Sequence, residues 1–295
     1  MVTSTAQTDL PMQPVVFKKT VSSDDIRTAS ALLAAGTGLS KTKVKEAMIK
    51  GAVWLKKDKR KRRRLRRATA SLAAGDILEI FYDENILAKI PPPADLLSDR
   101  KNYSVWIKPA GMLTQGSNFG DHCSLLRAVD RNFSKRRQVY TVHRLDREVS
   151  GVVVVAHSRD AARYLSALFQ NRQVIKKYRA EILGAVGEKQ SVIRIDVPLD
   201  GKPAVTEFAV AAYSPASDTT TVDIRLITGR RHQLRRHFEM IGHPIMGDPL
   251  YGKGNKTSNG LKLTAVSIEF RCPFTVDKVV FTIPKGNEKK HNESI

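Results

Sequence analysis

A short polar segment between two apolar stretches is the first candidate for chemistry. Residues 142–151 contain four charged side chains and a histidine, in the order Val-His-Arg-Leu-Asp-Arg-Glu-Val-Ser-Gly. A charged run between two predicted strands indicates a loop exposed at a cleft, where catalytic residues are often found. Its Asp146 could act as a nucleophile or stabilise positive charge that develops on a substrate. The same aspartate could instead bond its own backbone in a solvated turn, and the spacing leaves both interpretations open.

A second polar segment, residues 228–237, is rich in cations and carries two histidines. We predict a helix from Arg230 to Ile241, with Arg231 and Arg235 one turn apart on one face. Three apolar residues would line its buried face: Leu234, Phe238 and Ile241. A basic surface helix that touches phosphates without chemistry is the alternative, and the pattern alone does not separate the two.

The residue types that bind metals have no suitable spacing. His232 and His237 are five residues apart, so they do not share a helix face. The two cysteines, Cys123 and Cys272, are far apart in sequence, and we expect them to be reduced thiols. We therefore expect no metal site.

The composition indicates a polyanionic partner. Lys and Arg number 50 against 29 Asp and Glu, a formal net charge of +21. Such an excess repels itself unless a polyanion such as RNA or DNA is nearby. A membrane surface ranks lower, because no long apolar stretch or basic amphipathic helix occurs. We expect a cytoplasmic protein, since residues 1–19 lack an apolar signal core, with a eukaryotic organelle as the alternative. We also expect a monomer with no membrane partner.

Five segments divide the chain. They are a flexible tail (1–20), a small α/β module (21–90), a Pro-rich linker (91–100), a large domain (101–285) and a second tail (286–295). In the module we predict a helix capped by Ser40 and two strands, at 52–55 and 77–82.

The large domain is predicted to be α+β, with a mostly antiparallel sheet. Two helices, Arg159–Asn171 behind the cap Ser158 and Arg230–Ile241, interrupt a series of strands. The strands are predicted at Tyr103–Ile107, Val139–Val142, Val152–Ala156, Tyr178–Leu183, Glu207–Tyr213, Thr220–Ile227, Leu261–Phe270 and Val279–Ile283.

Five ordered segments of this domain resemble the motifs of the RluA-type pseudouridine synthases. They are 108–111 (Lys-Pro-Ala-Gly), 143–151 (His-Arg-Leu-Asp to Ser-Gly), 176–178 (Lys-Lys-Tyr), 201–207 (Gly-Lys-Pro-Ala-Val-Thr-Glu) and 229–252 (Gly-Arg-Arg-His-Gln-Leu-Arg to Gly-Asp-Pro-Leu-Tyr-Gly). Together they cover essentially all of the domain. The resemblance implies an isomerase that converts uridine in RNA to pseudouridine.

The resemblance also implies roles for single residues. Asp146 matches the family's catalytic aspartate, Tyr178 its active-site tyrosine, and Arg235 the arginine that pairs with the aspartate. Three positions depart from the family pattern: Val149 replaces Thr, Arg231 replaces Thr or Ser, and Thr264 replaces a common His. These departures bear on RNA contacts rather than on the reaction.

The implied reaction breaks the bond between the ribose anomeric carbon and the ring nitrogen, turns the uracil, and rejoins it through carbon five. Asp146 would be the nucleophile or would stabilise charge on the sugar. Tyr178 would handle the proton that leaves carbon five, or stack on the base. No redox step or group transfer occurs, so we expect no cofactor. The target nucleotide must be flipped out or lie in a loop.

Residues 21–90 resemble an S4-type (α-L) RNA-binding domain at 38–41, 50–53 and 74–78. A basic run, Lys56–Arg67, is inserted there. It could be a nuclear localisation signal, a solvated loop or a phosphate-binding arm, and we expect the last. RNA contacts are expected from Lys43, Arg62, Arg63, Arg64, His143, Arg144, Arg230, His232 and Gln233.

Two other function classes are weighed against the synthase. A catalytically inert RNA-binding or ribosome-assembly protein would explain the charge equally well, but Asp146, Tyr178 and Arg235 are all present. A nuclease or glycosidase would need a second positioned carboxylate or a metal cluster, and neither has persuasive spacing. We expect structured RNA as the substrate, ribosomal RNA ahead of transfer RNA, because relatives pair these two domains.

Overall fold

The computed structural model describes residues 13–25, 28–134 and 137–284, and the chain divides into two compact units. Unit 1 contains the chain up to Pro91 together with Gly116–Cys123. Unit 2 contains Pro92–Gln115 and the chain from Ser124 onward. Unit 1 therefore includes a short segment that returns to it after the chain has entered unit 2.

Unit 1 contains a small antiparallel sheet and short helices. Its strands are β1 (Val15–Thr20), β2 (Val53–Lys56), β3 (Arg63–Arg64) and β4 (Ile77–Tyr82), and its helices are α1 (Ala29–Thr37), α2 (Lys41–Ile49) and α3 (Glu84–Leu87). The strand order is β1-β4-β2-β3. The side chain of Ser40 accepts a hydrogen bond from the Lys43 N–H and caps α2, as predicted. Apolar residues of α1, α2, β2 and β4 share one core.

Strand β1 corrects the predicted tail at 1–20. It pairs with β4 over its whole length, from Val15 opposite Tyr82 to Thr20 opposite Ile77. Its residues alternate between half-buried and exposed, and Val15 and Phe17 pack against the core. This period of two is the strand signal, but six residues are too short to stand out beside a polar start. Residues 1–12 of the predicted tail lie outside the described residues.

Unit 2 is built on one large sheet. Its strands are β5 (Asp95–Asp99), β6 (Tyr103–Lys108), β7 (Tyr140–Thr141), β8 (Ser150–Ala156), β9 (Val174–Leu183), β10 (Val192–Asp196), β11 (Val205–Ser214), β12 (Thr219–Leu226), β13 (Leu263–Arg271) and β14 (Lys278–Thr282). Its helices are α4 (Leu125–Asn132), α5 (Arg159–Gln170) and α6 (Gln233–Met240). The strand order is β10-β11-β12-β9-β13-β8-β6-β5, with β14 beside β13 and β7 beside β8. The strands pair antiparallel except β8 with β13, and the α+β class is confirmed.

Two apolar cores cover the central strands of this sheet. In β8, Val153 and Val155 belong to one core, which includes residues of α4 and α6. Val152 and Val154 belong to the other, which includes residues of α5. All seven residues of β8 are buried. A strand that is covered on both faces has a continuous apolar sequence, which explains the run of valines here.

The structure corrects the predicted boundaries in three places. The linker at 91–100 contains β5, which pairs with β6, so unit 2 begins at Pro92. Helix α4 and strand β10 are absent from the sequence prediction. Helix α6 begins at Gln233 instead of Arg230, because His232 has left-handed backbone geometry with φ 52°. The predicted tail at 286–295 lies outside the described residues. No helix in the described part of the chain is long and apolar enough to cross a membrane.

Candidate active site

The loop that carries Asp146 connects β7 to β8 and is fixed by hydrogen bonds to the chain that follows β6. The Leu145 N–H donates to Thr114 Oγ1 at 3.1 Å, and that hydroxyl donates to the Leu145 carbonyl at 2.8 Å. The Gly111 N–H donates to the Arg147 carbonyl at 2.8 Å. The Leu145 side chain is buried in the core. Because both neighbours of Asp146 are fixed, its own position is defined by the fold.

A buried cation, Lys108, fixes the same loop. Its Nζ donates to the carbonyls of Pro109, Met112 and Arg147 at 2.9, 2.8 and 3.3 Å. Burial lowers the pKa of Lys108 to about 7, against the opposing effect of two nearby carboxylates. Three carbonyls match the three donors of a lysine ammonium group. Lys108 therefore links the end of β6 to the backbone directly after Asp146.

Gly151 brings β8 close to β13 immediately after this loop. The residue has φ 128°, and a Cβ there would lie 2.3 Å from the Ala265 carbonyl oxygen. The neighbouring hydroxyls of Ser150 and Thr264 are hydrogen-bonded at 3.0 Å. Only glycine permits this approach without displacing the backbone of β13.

The turn before α6 is fixed by the side chain of Gln233. Its Oε1 accepts from Thr228 Oγ1 at 2.7 Å and from the Arg230 N–H at 2.9 Å. Its Nε2 donates to the Val205 carbonyl at 3.0 Å and to Thr206 Oγ1 at 3.1 Å. The start of α6 is therefore hydrogen-bonded to β11, and the side chains on the first turn of α6 have defined positions.

These elements surround an open cavity of about 660 Å³. Residues 144–149 and 229–235 supply most of its lining. The Asp146 side chain is 26% exposed. Its Oδ2 lies 3.8 Å from Arg235 Nη1 and 3.8 Å from His232 Nε2. The cavity thus presents the Asp146 carboxylate with a guanidinium and an imidazole beside it, and a second carboxylate, Glu148, also lines the cavity.

Arg235 forms its hydrogen bonds with Asp248. Its Nε and Nη2 each donate to one carboxylate oxygen at 2.7 Å, and both side chains are almost fully buried. Its Nη1 has no hydrogen-bond partner among the described residues and lies 3.6 Å from Glu148 Oε2. The expected pair of Arg235 with Asp146 is therefore a charge contact at 3.8 Å, and the bidentate pair is with Asp248.

Two further rings complete the cavity. Tyr178 of β9 lines it and is 9% exposed. Burial, assisted by the negative charge of Asp146, raises the pKa of Tyr178. His232 Nδ1 lies 3.0 Å from the Tyr251 hydroxyl. Burial also lowers the pKa of His232, although Asp146 opposes this. At neutral pH the cavity therefore offers a neutral phenol and a neutral imidazole.

Comparison with known proteins identifies the family. The sequence model of the family described as RNA pseudouridylate synthase matches residues 102–240. The dual-specificity RNA pseudouridine synthase RluA of Pasteurella multocida is 33% identical over 221 residues, which are 67% of this chain and 98% of that protein. The chain belongs to the RluA-type RNA pseudouridine synthase family. The RluA of Salmonella typhi is 32% identical over 205 residues, 64% of this chain and 92% of that protein.

Two human structures share the fold of this pseudouridine synthase. RNA pseudouridylate synthase domain containing 1 aligns with a TM-score of 0.56 and 23% identity, over 67% of this chain and 86% of that one. RNA pseudouridylate synthase domain containing 4 aligns with a TM-score of 0.53 and 24% identity, over 68% and 92%. The family, the isomerase class and the RNA substrate predicted from the sequence are confirmed.

The synthase's predicted RNA contacts in unit 2 fall into two groups. Arg144 and Arg230 line the cavity with exposed or half-buried side chains, as does His232. Gln233 is 3% exposed and holds the turn before α6. The ring of His143 stacks on Phe169 at 4.3 Å, and its Nε2 accepts from the Val154 N–H. The fold thus uses Gln233 and His143 structurally, and their RNA contacts stay predictions.

The predicted contacts in unit 1 also differ in accessibility. Lys43 Nζ donates to Glu84 Oε1 at 3.0 Å, and Arg63 is exposed. Arg62 donates to Glu79 Oε2 at 2.9 Å. Arg64 is mostly buried and donates to the carbonyls of Gly51 and Ser117. Desolvation lowers the pKa of Arg64. Arg64 is therefore a structural residue of unit 1, whereas Arg62 and Arg63 are exposed.

Sequence reasoning missed the residues that position the catalytic candidates. Asp248 and Lys108 both lie within motifs that carry the family resemblance, but no spacing rule shows that one holds Arg235 and the other holds the Asp146 loop. The signal available was chemical: a fully buried charge needs a partner. That signal requires burial to be known. Among the described residues, no three His, Cys, Asp or Glu side chains are grouped so as to hold a metal ion.

Proposed function

We propose that the protein isomerises specific uridines in structured RNA, with Asp146 as the catalytic carboxylate and ribosomal RNA as the substrate. The observation that carries the proposal is the position of Asp146 in the cavity. It is an accessible carboxylate on a fixed loop, 3.8 Å from the free Nη1 of Arg235. A uridine turned out of its RNA would bring its anomeric carbon to this carboxylate.

Asp146 acts on the sugar in this proposal. Breaking the glycosidic bond leaves positive charge on the anomeric carbon, which a carboxylate either captures as a covalent bond or stabilises by its charge. Arg235 Nη1 donates a hydrogen bond to the reacting groups, because its other donors are held by Asp248. The bidentate pair with Asp248 keeps the Arg235 guanidinium from closing to hydrogen-bond distance of Asp146, so that the Asp146 carboxylate stays available to the sugar.

Tyr178 acts on the uracil. Its raised pKa keeps the phenol protonated at neutral pH. A protonated phenol donates a hydrogen bond and presents its ring for stacking. It accepts the carbon-five proton only as its own proton passes on, directly or through water, to ring nitrogen one, which gains a proton in pseudouridine. We propose that the ring stacks on the uracil while it turns, and that the hydroxyl serves in proton transfer.

Unit 1 acts as an RNA-binding domain of the S4 type. Two helices that share a core with a small antiparallel sheet, together with the basic run, support this assignment. The unit would add affinity through phosphate contacts, which carry little sequence information. Selection of the uridine would then fall to the cavity and to the shape of the RNA around it.

Nucleoside analysis of incubated RNA tests the reaction. Wild-type protein should convert uridine to pseudouridine, and Asp146→Asn should abolish this, because the amide keeps the shape but loses the charge and the nucleophilicity. RNA affinity should change less than about twofold, since phosphate contacts dominate binding. Asp160→Asn is the matched control, because Asp160 is 81% exposed in its side chain and lies on α5 outside the cavity lining.

The outcomes of this assay separate the function classes. Free uracil would indicate a glycosidase, and cut strands would indicate a nuclease. RNA binding without any change in the nucleosides would indicate an inert binding protein. Substantial turnover by Asp146→Asn would remove Asp146 from its proposed role. Mapping pseudouridines in cells with and without the gene would identify the RNA and the position.

A further inference from the structure

A second cavity lies on unit 1, separate from the catalytic cavity of unit 2. It is an open groove of about 630 Å³ formed by β1, β2, β4 and the loop between β2 and β3. Six cations line it: Lys18, Lys56, Lys59, Arg60, Lys61 and Arg62. Glu79 is the one carboxylate among its described lining residues. A groove with this lining attracts anions.

The carboxylate is already paired. Glu79 lies 2.9 Å from Arg62 Nη1 and 3.6 Å from Lys18 Nζ. The described residues provide no ion pair for the remaining four cations of the lining: Lys56, Lys59, Arg60 and Lys61. Like charges that converge on one groove repel each other, so the empty groove is less stable than the filled one. The groove therefore retains a strong net positive charge that an anionic ligand would compensate.

The wall of the groove is preorganised. The guanidinium of Arg62 lies 4.6 Å from the centre of the Trp54 ring and 5.8 Å from that of Phe81. Its Nη2 also donates to Asn118 Oδ1 at 2.8 Å. Trp54 Nε1 donates to the Asn118 carbonyl at 3.1 Å. The Arg64 guanidinium lies 4.2 Å from the centre of the same Trp54 ring, so this ring already contacts two guanidinium groups. A guanidinium held in place by an aromatic ring, beside exposed lysines, suits a ligand that carries negative charges.

The basic run is divided by the fold into two parts. Arg64 and Arg66 both contact Asp121, with Arg66 Nη2 2.5 Å from Oδ2 and Arg64 Nε 3.3 Å from it. Arg66 also donates to the Ile49 carbonyl. These two arginines stabilise unit 1, whereas the groove takes its cations from the earlier part of the run, between Lys56 and Arg62, and adds Lys18 from β1.

We infer that this groove binds the phosphodiester backbone of an RNA strand. Its volume exceeds what a single inorganic anion fills and suits a short stretch of nucleotides. The phosphates would lie among Lys56, Lys59, Arg60 and Lys61, and a base edge would face the wall of Trp54 and Arg62. The inference rests on the proposed RNA-binding role of unit 1 and assigns that role to the open face of its sheet.

The test uses the full chain and the triple variant K59Q/R60Q/K61Q, with a short unstructured RNA as the probe. The dissociation constant is measured by fluorescence anisotropy over a series of salt concentrations. Each lost phosphate contact should reduce the slope of log affinity against log salt by roughly 0.7, the value for single strands. The triple variant should therefore bind roughly tenfold or more weakly at low salt and have a clearly flatter slope.

A second triple variant, K41Q/K45Q/R67Q, removes the same charge from exposed positions of unit 1 outside the groove lining. It should keep nearly the wild-type affinity and slope. Equal losses in the two variants would show that bulk charge decides binding, and a larger loss in K41Q/K45Q/R67Q would place the site on the helices. Either result overturns the inference.

Vesicles of phosphatidylcholine with phosphatidylserine test the other class of polyanion. Loss of vesicle binding by K59Q/R60Q/K61Q, with RNA binding intact, would assign the groove to a membrane surface and overturn the inference. Pseudouridine formation by the wild-type protein is measured on the same RNA-binding preparations. Its absence would count against the proposed function alone, because the binding measurements do not depend on turnover.

Discussion

The three guanidinium nitrogens of Arg235 have different contacts. Two are held by Asp248 in a bidentate pair at 2.7 Å, and the third lies 3.8 Å from Asp146 and 3.6 Å from Glu148, with no hydrogen-bond partner in the part of the chain that the structure describes. If Asp146 engages the substrate as proposed, a guanidinium that formed a full pair with it would compete with the substrate for that carboxylate. We propose that anchoring Arg235 on Asp248 leaves Asp146 accessible and leaves Nη1 available to respond to charge that develops in the reaction.

Asp248→Asn tests whether Asp248 holds Arg235 away from a full ion pair with Asp146. The variant leaves the buried guanidinium without its charged partner, which costs on the order of 3–5 kcal/mol of stability in comparable pairs. Arg235 should then turn toward Asp146, so single-turnover rate should fall more than RNA affinity. The checks are urea denaturation and single-turnover pseudouridine formation at saturating RNA.

Asp200→Asn is the matched control for that experiment. Asp200 forms a bidentate pair with Arg236, the next residue on the same helix, but its side chain is 69% exposed. Exposed pairs contribute about 0–1 kcal/mol. Similar losses in the two variants, in stability and in rate, would show that Asp248 does not position Arg235.

The ends of two strands, β6 and β8, position the loop that carries Asp146. β6 ends at Lys108, whose Nζ donates to the Arg147 carbonyl, and β8 begins directly after the loop that carries Asp146.

Lys108→Met should alter the pH dependence of the free energy of unfolding. In the unfolded chain a lysine keeps its proton up to about pH 10.4, whereas burial lowers the folded pKa to about 7. The unfolded state therefore binds more protons above pH 7, and this contribution to the free energy of unfolding rises with pH.

The measurement is the free energy of unfolding of wild type and Lys108→Met from pH 7 to about 9. Relative to the variant, the wild type should gain stability as pH rises, by at most about 1.4 kcal/mol per pH unit. Below pH 7 the difference should level off, because the lysine is then charged in both states. Parallel curves over the whole range would show that Lys108 stays protonated in the folded protein.

Gly151→Ala tests the approach of β8 to β13. A Cβ would lie 2.3 Å from the Ala265 carbonyl oxygen, and at φ 128° an L side chain is strained as well. We expect a loss of more than about 2 kcal/mol, measured by urea denaturation. Gly201→Ala is the control, since Gly201 has φ 70° but no atom within 4 Å of the added Cβ. It should lose only about 1 kcal/mol from backbone strain. Equal losses would show that strain alone, without the clash, makes Gly151 necessary.

The sequence predicts elements well where local signals are strong. The caps Ser40 and Ser158 and the strand at 77–82 lie where they were expected. Prediction from the sequence fails where long-range contacts determine an element. Strand β1 needs β4 as its partner, and the start of α6 depends on the hydrogen bond from Gln233 to β11. In the site, residue types make Asp146 a candidate, and the family resemblance is what assigns it the catalytic role. The partner of Arg235 could not be predicted, because Asp248 reaches it only through tertiary packing.

At the scale of the whole molecule, the chain completes unit 1 with a segment that lies far along the sequence. Residues 116–123 supply Asp121 to Arg64 and Arg66, Asn118 to Arg62, and Phe119 to Phe81 in an edge contact at 5.7 Å. A pattern of local propensities contains no sign of this return, since the two polar contacts of Asn118 with Arg62 and of Asp121 with Arg66 join residues 56 and 55 positions apart in the chain. Unit 1 is therefore completed only after the chain has begun unit 2.

This arrangement predicts the behaviour of fragments. Residues 1–91 alone should be less stable than the same fragment joined by a flexible linker to residues 116–123. The segment removes the repulsion between Arg64 and Arg66 by placing Asp121 between them, and it gives Arg62 and Trp54 their partners in Asn118. We expect a gain of about 1–3 kcal/mol, measured as the free energy of unfolding in urea. Asp121→Asn in the joined fragment should remove most of that gain, because the amide cannot neutralise two guanidinium groups. If the joined fragment and residues 1–91 unfold at the same urea concentration, segment 116–123 does not stabilise unit 1.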